Sequence, residues 1–110
     1  MTEQAFFILT ALVPGPRHGY GIVAEVAEVS QGRVELKIGT LYGVLDRLVL
    51  DGLVELDREE PYQGRLRRYY RITGDGRTAL AAEAARQAAN ARVASRRLQA
   101  HRPAPAGGVA

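Results

Sequence analysis

The sequence predicts a mainly α-helical domain that carries one small β-hairpin. Apolar residues recur at helical spacing through three segments before residue 51. Two β-rich runs follow, 53–58 and 67–72, and an alanine-rich stretch then continues to about residue 100. We therefore expect three helices, a hairpin and one long final helix. A chain of 110 residues is long enough for one small domain and an appendage, and too short for two large domains.

The first two helices are expected over residues 3–13 and 18–30. Thr2 can cap the first helix, and a Pro-Gly-Pro segment at 14–16 ends it. The second helix places Tyr20, Val23 and Val26 on one stripe. Residues 33–36 then alternate polar and apolar side chains over too few positions for more than a short strand or an extended linker.

The third helix is expected over residues 38–51 and has an apolar stripe of Leu41, Leu45 and Leu48. Gly39 and Gly43 lie on the opposite, outward face, where each glycine costs about 1 kcal/mol relative to alanine in a helix interior. They either begin a frayed helix or allow close approach of the backbone to another molecule. The second interpretation is favoured because neighbouring side chains can donate hydrogen bonds to a phosphate, namely Lys37, Thr40 and Tyr42.

The two β-rich runs predict a hairpin with a long polar tip over residues 61–65. The element order is then that of a winged helix-turn-helix, in which the third helix enters the major groove of DNA and the hairpin, or wing, flanks it. Arginines cluster on the wing at Arg65, Arg67, Arg68 and Arg71. A run of arginines is usually a solvated face, but this position favours contact with phosphates or a narrow minor groove.

The charge distribution agrees with a polyanionic partner. Residues 61–110 contain ten of the 15 basic residues and only two acids, whereas residues 1–60 contain five basic residues and ten acids. Every cation except Lys37 is an arginine, whose planar guanidinium can donate two hydrogen bonds to phosphate oxygens. A codon bias towards arginine, alanine and glycine is the alternative explanation for this composition.

Other function classes fit the sequence poorly. Cysteine is absent and the two histidines, His18 and His101, lie far apart, so no metal or cofactor is expected. The sequence has no phosphate-binding glycine loop, serine–histidine pair or paired acids that would indicate an enzyme. It also shows no signal peptide and no apolar run of about 18 residues. We therefore expect a cytoplasmic protein without a membrane segment.

The final helix is expected to form a dimer. Its stripe lies near the a/d pattern of a coiled coil and consists of Leu80, Ala84, Ala88, Ala91 and Leu98. Small residues permit a short distance between helices, whereas an exposed helix held by alanine propensity alone is the alternative. The expected division is thus a DNA-binding domain over 1–74, a dimerisation helix over 75–100 and a disordered tail over 101–110.

Several motifs resemble those of the PadR family of transcriptional regulators. They are Gly39-Thr40-Leu41-Tyr42, Asp51-Gly52-Leu53-Val54 and Arg68-Tyr69-Tyr70, together with His18-Gly19-Tyr20-Gly21-Ile22 at the start of the second helix. The likeness covers about residues 5–80.

This resemblance implies a homodimeric winged-helix repressor that pairs through its last helix, binds a double-stranded operator, and in many members is released by an aromatic or drug-like effector. It implies DNA contacts from the third helix, the wing and, more weakly, the second helix, at Lys37, Thr40, Tyr42, Arg65, Arg67 and Tyr20. Gly39 joins this set through the expected close approach of its backbone.

Two alternatives are left open by the sequence. Phe6 and Phe7 are adjacent and point in different directions, so one can leave the core. That ring either packs into the dimer seam or lines an effector cavity against the last helix of the partner subunit. The chain could also be a protein-interaction adaptor that does not read DNA, an alternative against which the wing arginines argue.

Overall fold

The computed structural model describes residues 1–104. In chain order its elements are α1 (Glu3–Leu12), β1 (Arg17–His18), α2 (Gly19–Val29), α3 (Ile38–Leu50), β2 (Val54–Tyr62), β3 (Arg65–Ile72) and α4 (Gly74–Ala100). The strands form one antiparallel sheet in the order β1-β3-β2. The predicted mainly α-helical fold with a winged helix-turn-helix is confirmed. Residues 105–110 of the predicted tail lie outside the described residues.

Hydroxyl caps and a left-handed glycine fix the ends of three helices. Thr2 and Thr73 accept backbone N–H bonds of 3.1 and 2.9 Å in the first turns of α1 and α4. At the end of α3, Gly52 has a φ of +75°, and the amide of Leu53 donates to the carbonyl of Leu48 at 2.9 Å. This is the Schellman arrangement, which requires a residue that tolerates positive φ.

The core lies between the first three helices and the sheet. Its fully buried aliphatic side chains are Ile8, Leu9, Leu12, Ile22, Val26, Leu41, Leu45 and Val54. The stripe predicted for α3 is therefore buried. Two members of the stripe predicted for α2 do face the core, because Val26 is fully buried and Val23 packs against it. Tyr20 does not: it is 68% exposed, and Ile22 is buried instead. A Cβ on Gly19 would lie 2.6 Å from the hydroxyl oxygen of Tyr42, so the start of α2 packs closely against α3.

The sheet contains a strand that the sequence did not predict. Arg17 and His18 pair with Tyr70 and Tyr69 of β3, so the sheet has three strands instead of two. Residues 33–36, for which a short strand was one of two expectations, form the extended linker instead. Two of their side chains, Val34 and Leu36, are nevertheless buried in the core.

The wing is longer and its tip shorter than predicted. Both strands continue to the tip, where Tyr62 pairs with Arg65 and only Gln63 and Gly64 remain in the turn. Both turn residues have positive φ, 50° and 77°, as a type I′ hairpin requires. The expected polar tip over 61–65 was wrong because Pro61 belongs to β2, an edge strand that can accommodate a residue without an N–H.

Helix α4 projects from the domain and gives the chain a length of 74 Å against 27 and 21 Å in the other directions. Its first three turns touch the domain, where Leu80 packs against the core and Glu83 is buried. From Ala84 to the end of the helix, every residue is exposed. Four of the five predicted seam residues therefore lie on the exposed part, while Leu80 contacts its own domain. Among the residues described, no helix is both long and apolar enough to span a bilayer.

Candidate nucleic-acid interface

A groove of about 590 Å³ separates the wing from the starts of α2 and α3. We call it the wing groove. Eleven residues line it: His18, Gly19, Tyr20, Ile38, Tyr42, Tyr62, Gln63, Arg65, Leu66, Arg67 and Arg68. It therefore combines three arginines and three tyrosines with the N-terminus of α2. Helix N-termini carry partial positive charge, so this end of α2 adds to the field of the arginines.

The wing groove brings together four of the seven residues that the sequence predicts to contact DNA. Tyr20, Tyr42, Arg65 and Arg67 line it. Lys37 and Gly39 are exposed on either side of the groove residue Ile38. These positions place the start of α3 and the inner edge of the wing beside one open surface.

Thr40 lies apart from the wing groove. It lines a second cleft of about 520 Å³ between the start of α1 and α3, together with Gly43, Val44 and Arg47. Most of the surface of this α1–α3 cleft is apolar. Grouping Thr40 with Tyr42, as the sequence suggested, therefore joins residues that face different sides of α3.

The four wing arginines fall into two classes. Arg68 and Arg71 are ion-paired to acids of β2, with N–O distances of 3.4 and 2.8 Å. Within residues 1–104, Arg65 and Arg67 take part in no ion pair. An uncompensated guanidinium can neutralise an external anion without first breaking a salt bridge, so the two unpaired arginines are the better candidates for phosphate contacts.

His18 is a groove residue that the sequence did not single out. Its Nδ1 accepts the amide of Gly21 at 3.2 Å and caps α2, and its ring meets the edge of Tyr69 at 5.5 Å between centroids. Histidine is not a preferred N-cap residue, so this role has little signal in the sequence. Burial, and secondly the charge of Arg67, lower the pKa of His18 below its ordinary 6.5. The neutral form is required for the cap, because a protonated Nδ1 cannot accept a hydrogen bond.

We expect His18→Asn to flatten the dependence of stability on pH. Because the pKa of His18 is lowered in the folded state, the unfolded chain binds the proton more readily. The stabilisation is complete above about pH 6.5 and is lost as the pH falls through the folded-state pKa. Asparagine retains a side-chain acceptor without titrating. Urea unfolding between pH 7.5 and 5 measures this, and parallel pH profiles for the two proteins would contradict the role of His18.

Leu66 is a second groove residue without a predicted role. It is 65% exposed at the wing tip, between the two unpaired arginines. A leucine between two arginines near the tip of the predicted hairpin was the signal available in the sequence.

The predicted effector residues lie elsewhere. Phe6 and Phe7 are both half-buried and meet edge to face at 5.3 Å. Phe7 packs against the core, which leaves Phe6 as the ring that is free to face outwards. Neither ring lines the wing groove or the α1–α3 cleft. Within residues 1–104, no three His, Asp or Glu side chains are grouped so that they could hold a metal ion.

Solved structures with this fold include regulators from several bacteria. A PadR family transcription regulator from Clostridium difficile is 25% identical, with a TM-score of 0.70, over 88% of this chain and 99% of that one. Bacillus subtilis PadR, solved in complex with operator DNA, is 23% identical with a TM-score of 0.64, over 73% of this chain and 45% of that one. At 23% identity, the likeness to the Bacillus subtilis protein establishes the fold alone.

Sequence comparisons identify the family. An uncharacterized protein from Lysinibacillus sphaericus is 33% identical over 73 residues, which are 66% of this chain and 67% of that protein. Residues 8–82 match the family model described as the transcriptional regulator PadR-like family. That family consists of transcription regulators and not of enzymes. The chain belongs to the PadR-like family of transcriptional regulators.

Proposed function

We propose that this chain is a homodimeric repressor that binds a pseudo-palindromic DNA operator. In this proposal α3 enters the major groove while Arg65 and Arg67 hold the adjacent backbone. The observation that carries the proposal is the convergence of the start of α3 with these two unpaired arginines on one groove. Repression would be steric, because a dimer seated on promoter DNA blocks other proteins from the same site. A regulator of this kind works in the cytoplasm, where the operator is.

Two further observations support DNA as the partner. Bacillus subtilis PadR, which shares this fold, was crystallised with operator DNA. The wing groove also presents hydroxyl and guanidinium donors together, from Tyr20, Tyr42 and the arginines. Such donors position a protein on phosphates, whereas base edges supply sequence specificity. Lys37 and the exposed backbone at Gly39 lie where they can extend this surface along α3.

The dimer would form through the exposed part of α4. Ala84, Ala88 and Ala91 share one face there, and Leu98 extends the stripe towards the C-terminus. Because alanine side chains bury little area, the stripe stabilises a dimer only when another helix comes close. We accordingly propose that residues 1–74 bind DNA and that α4 dimerises, with a two-fold operator whose half-sites are about one helical turn, or a multiple of it, apart.

We further propose that an aromatic effector binds beside Phe6, between α1 and the partner's α4. Phe6 stays outside the core cluster that includes Phe7, so its ring is available to such a cavity. Titration of the DNA complex with planar aromatic compounds tests this. If no compound shifts the binding curves, the effector site is contradicted.

Gly43→Ala should stabilise α3 and weaken DNA binding. A Cβ at Gly39 or Gly43 would meet nothing within 4 Å, so packing inside this chain requires neither glycine. Alanine should raise the free energy of unfolding by up to about 1 kcal/mol at an interior helix position such as 43. Although Gly43 borders the α1–α3 cleft, it is exposed and lies one turn beyond Gly39 on the outward face of α3. Where this face approaches DNA closely, the added methyl group collides with it. The free energy of unfolding measured in urea should therefore rise while the affinity for duplex DNA falls. Unchanged DNA affinity would contradict a close approach of the α3 backbone to DNA.

The function itself is tested by selecting bound fragments from genomic DNA. The selected fragment and a random duplex of equal length are then compared by fluorescence anisotropy over a series of salt concentrations. We expect the selected fragment to bind at least about a thousandfold more tightly than random duplex. We also expect log affinity to fall linearly with log salt concentration. A protein-interaction adaptor would enrich no fragment and show no steep salt dependence.

A further inference from the structure

The guanidinium of Arg67 lies on an aromatic ring instead of on an acid. Its Cζ is 3.4 Å from the centroid of the Tyr62 ring. Residue Glu60 is directly opposite Arg67 in the strand register, and opposite charges at such positions normally pair. Yet Arg67 forms no salt bridge among the residues described, although Glu60 lies directly across from it on β2.

Arg58 accounts for this missing ion pair. Its Nε is 2.6 Å from a carboxylate oxygen of Glu60, and its Nη1 is 2.7 Å from Asp57. The Cζ of Arg58 also lies 4.1 Å from the centroid of the Tyr69 ring, a second contact that restrains the Arg58 side chain. Glu60 therefore already has an ion-pair partner on its own strand and forms no ion pair with Arg67.

We propose that Tyr62 and the Arg58–Glu60 ion pair act as positioning residues that keep Arg67 uncompensated and directed along the wing groove, ready for a DNA phosphate. The inference rests on the proposed DNA-binding function and adds to it the residues that prepare one contact. A ring supports the flat face of a guanidinium and leaves its N–H groups free at the edge, whereas a carboxylate would occupy those groups. The stack thus orders a long side chain without neutralising it.

The aromatic support is tested by replacing the ring. Tyr62→Leu should weaken binding to a random 30-base-pair duplex about two- to fivefold per subunit, the range expected for an exposed cation–π contact. Tyr62→Phe should retain most of the affinity that Tyr62→Leu loses, because the ring that supports Arg67 is kept. In an Arg67→Ala background, Tyr62→Leu should have no further effect on affinity. A purely structural role for Tyr62 would weaken binding equally in both backgrounds.

The role of the Arg58–Glu60 ion pair is tested by a double-mutant cycle. Arg58→Gln should weaken duplex binding, because Glu60 becomes free to pair with Arg67. Adding Glu60→Gln should restore the affinity, and Glu60→Gln alone should change it little. If Arg58→Gln weakens binding equally with and without Glu60, then Arg58 acts by itself and its proposed role is overturned.

These outcomes separate the inference from the function on which it rests. Wild-type protein that fails to bind any duplex contradicts the DNA-binding function and the inference with it. Wild-type binding that Tyr62→Leu leaves unchanged overturns the inference alone. Thermal unfolding of each variant shows whether an affinity change reflects loss of folded protein, and we expect Tm values close to that of the wild type because the wing tip is exposed.

Discussion

Gly76→Ala should destabilise the protein by about 3 kcal/mol or more, the upper range for overpacking a filled site. A Cβ at Gly76 would lie 2.1 Å from the carbonyl oxygen of Leu53 and 2.7 Å from Cγ1 of Ile72. The first of these atoms is backbone, so α4 would have to move away from the wing. In a domain of this size the expected loss in Tm is at least about 10 °C.

Gly74→Ala is the matched control for this substitution. Gly74 belongs to the same helical turn, but a Cβ there would meet nothing within 4 Å. We expect a neutral or slightly stabilising effect, below about 1 kcal/mol. Thermal and urea unfolding of both variants measure the contrast. Equal stability of the two variants would contradict the close contact between α4 and the segment before β2.

Ala88→Glu should convert the proposed dimer into a monomer and strongly weaken operator binding. Two carboxylates brought into a close helix–helix contact repel each other and lose hydration, which a seam of small side chains cannot compensate. Without the dimer, each bound molecule contacts only one half-site. Operator affinity should therefore fall much more than affinity for random duplex.

Ala89→Glu provides the control for Ala88→Glu. Residue 89 is equally exposed and lies about 100° further around the helix, away from the alanine stripe. This variant should remain dimeric by multi-angle light scattering. A dimer mass for Ala88→Glu, or a monomer mass for both variants, would place the subunit contact outside the proposed seam.

Much of the helical fold could be predicted because its signals are local. The stripe of Leu41, Leu45 and Leu48 and the glycine that ends α3 need only nearby residues, and both were found. The exposure of Tyr20 on α2 was not predicted, because Tyr20 and Ile22 can each share an apolar stripe with Val26. The choice between Tyr20 and Ile22 depends on tertiary packing, such as that of Gly19 against Tyr42, which is distant in the sequence.

The sheet was harder to predict because its pairing is non-local. Two residues, Arg17 and His18, are too few for a sequence pattern, and β1 exists only through pairing with β3. The register of the wing is further displaced by an irregularity between Leu56 and Arg58. That register determines which arginines meet acids, so the cluster could be recognised from the sequence while its division into paired and unpaired members could not.

We propose that the two unpaired arginines of the wing groove, Arg65 and Arg67, hold the DNA backbone. The most direct measurement is the salt dependence of duplex binding for two double variants from the same strand, Arg65→Gln/Arg67→Gln and Arg68→Gln/Arg71→Gln. Both variants remove two positive charges per subunit. Only the first should lower the slope of log affinity against log salt, by about 0.9 for each phosphate that is no longer neutralised, or about 3.6 in a dimer. Equal changes in slope for the two variants, or a change only in the second, would contradict this claim.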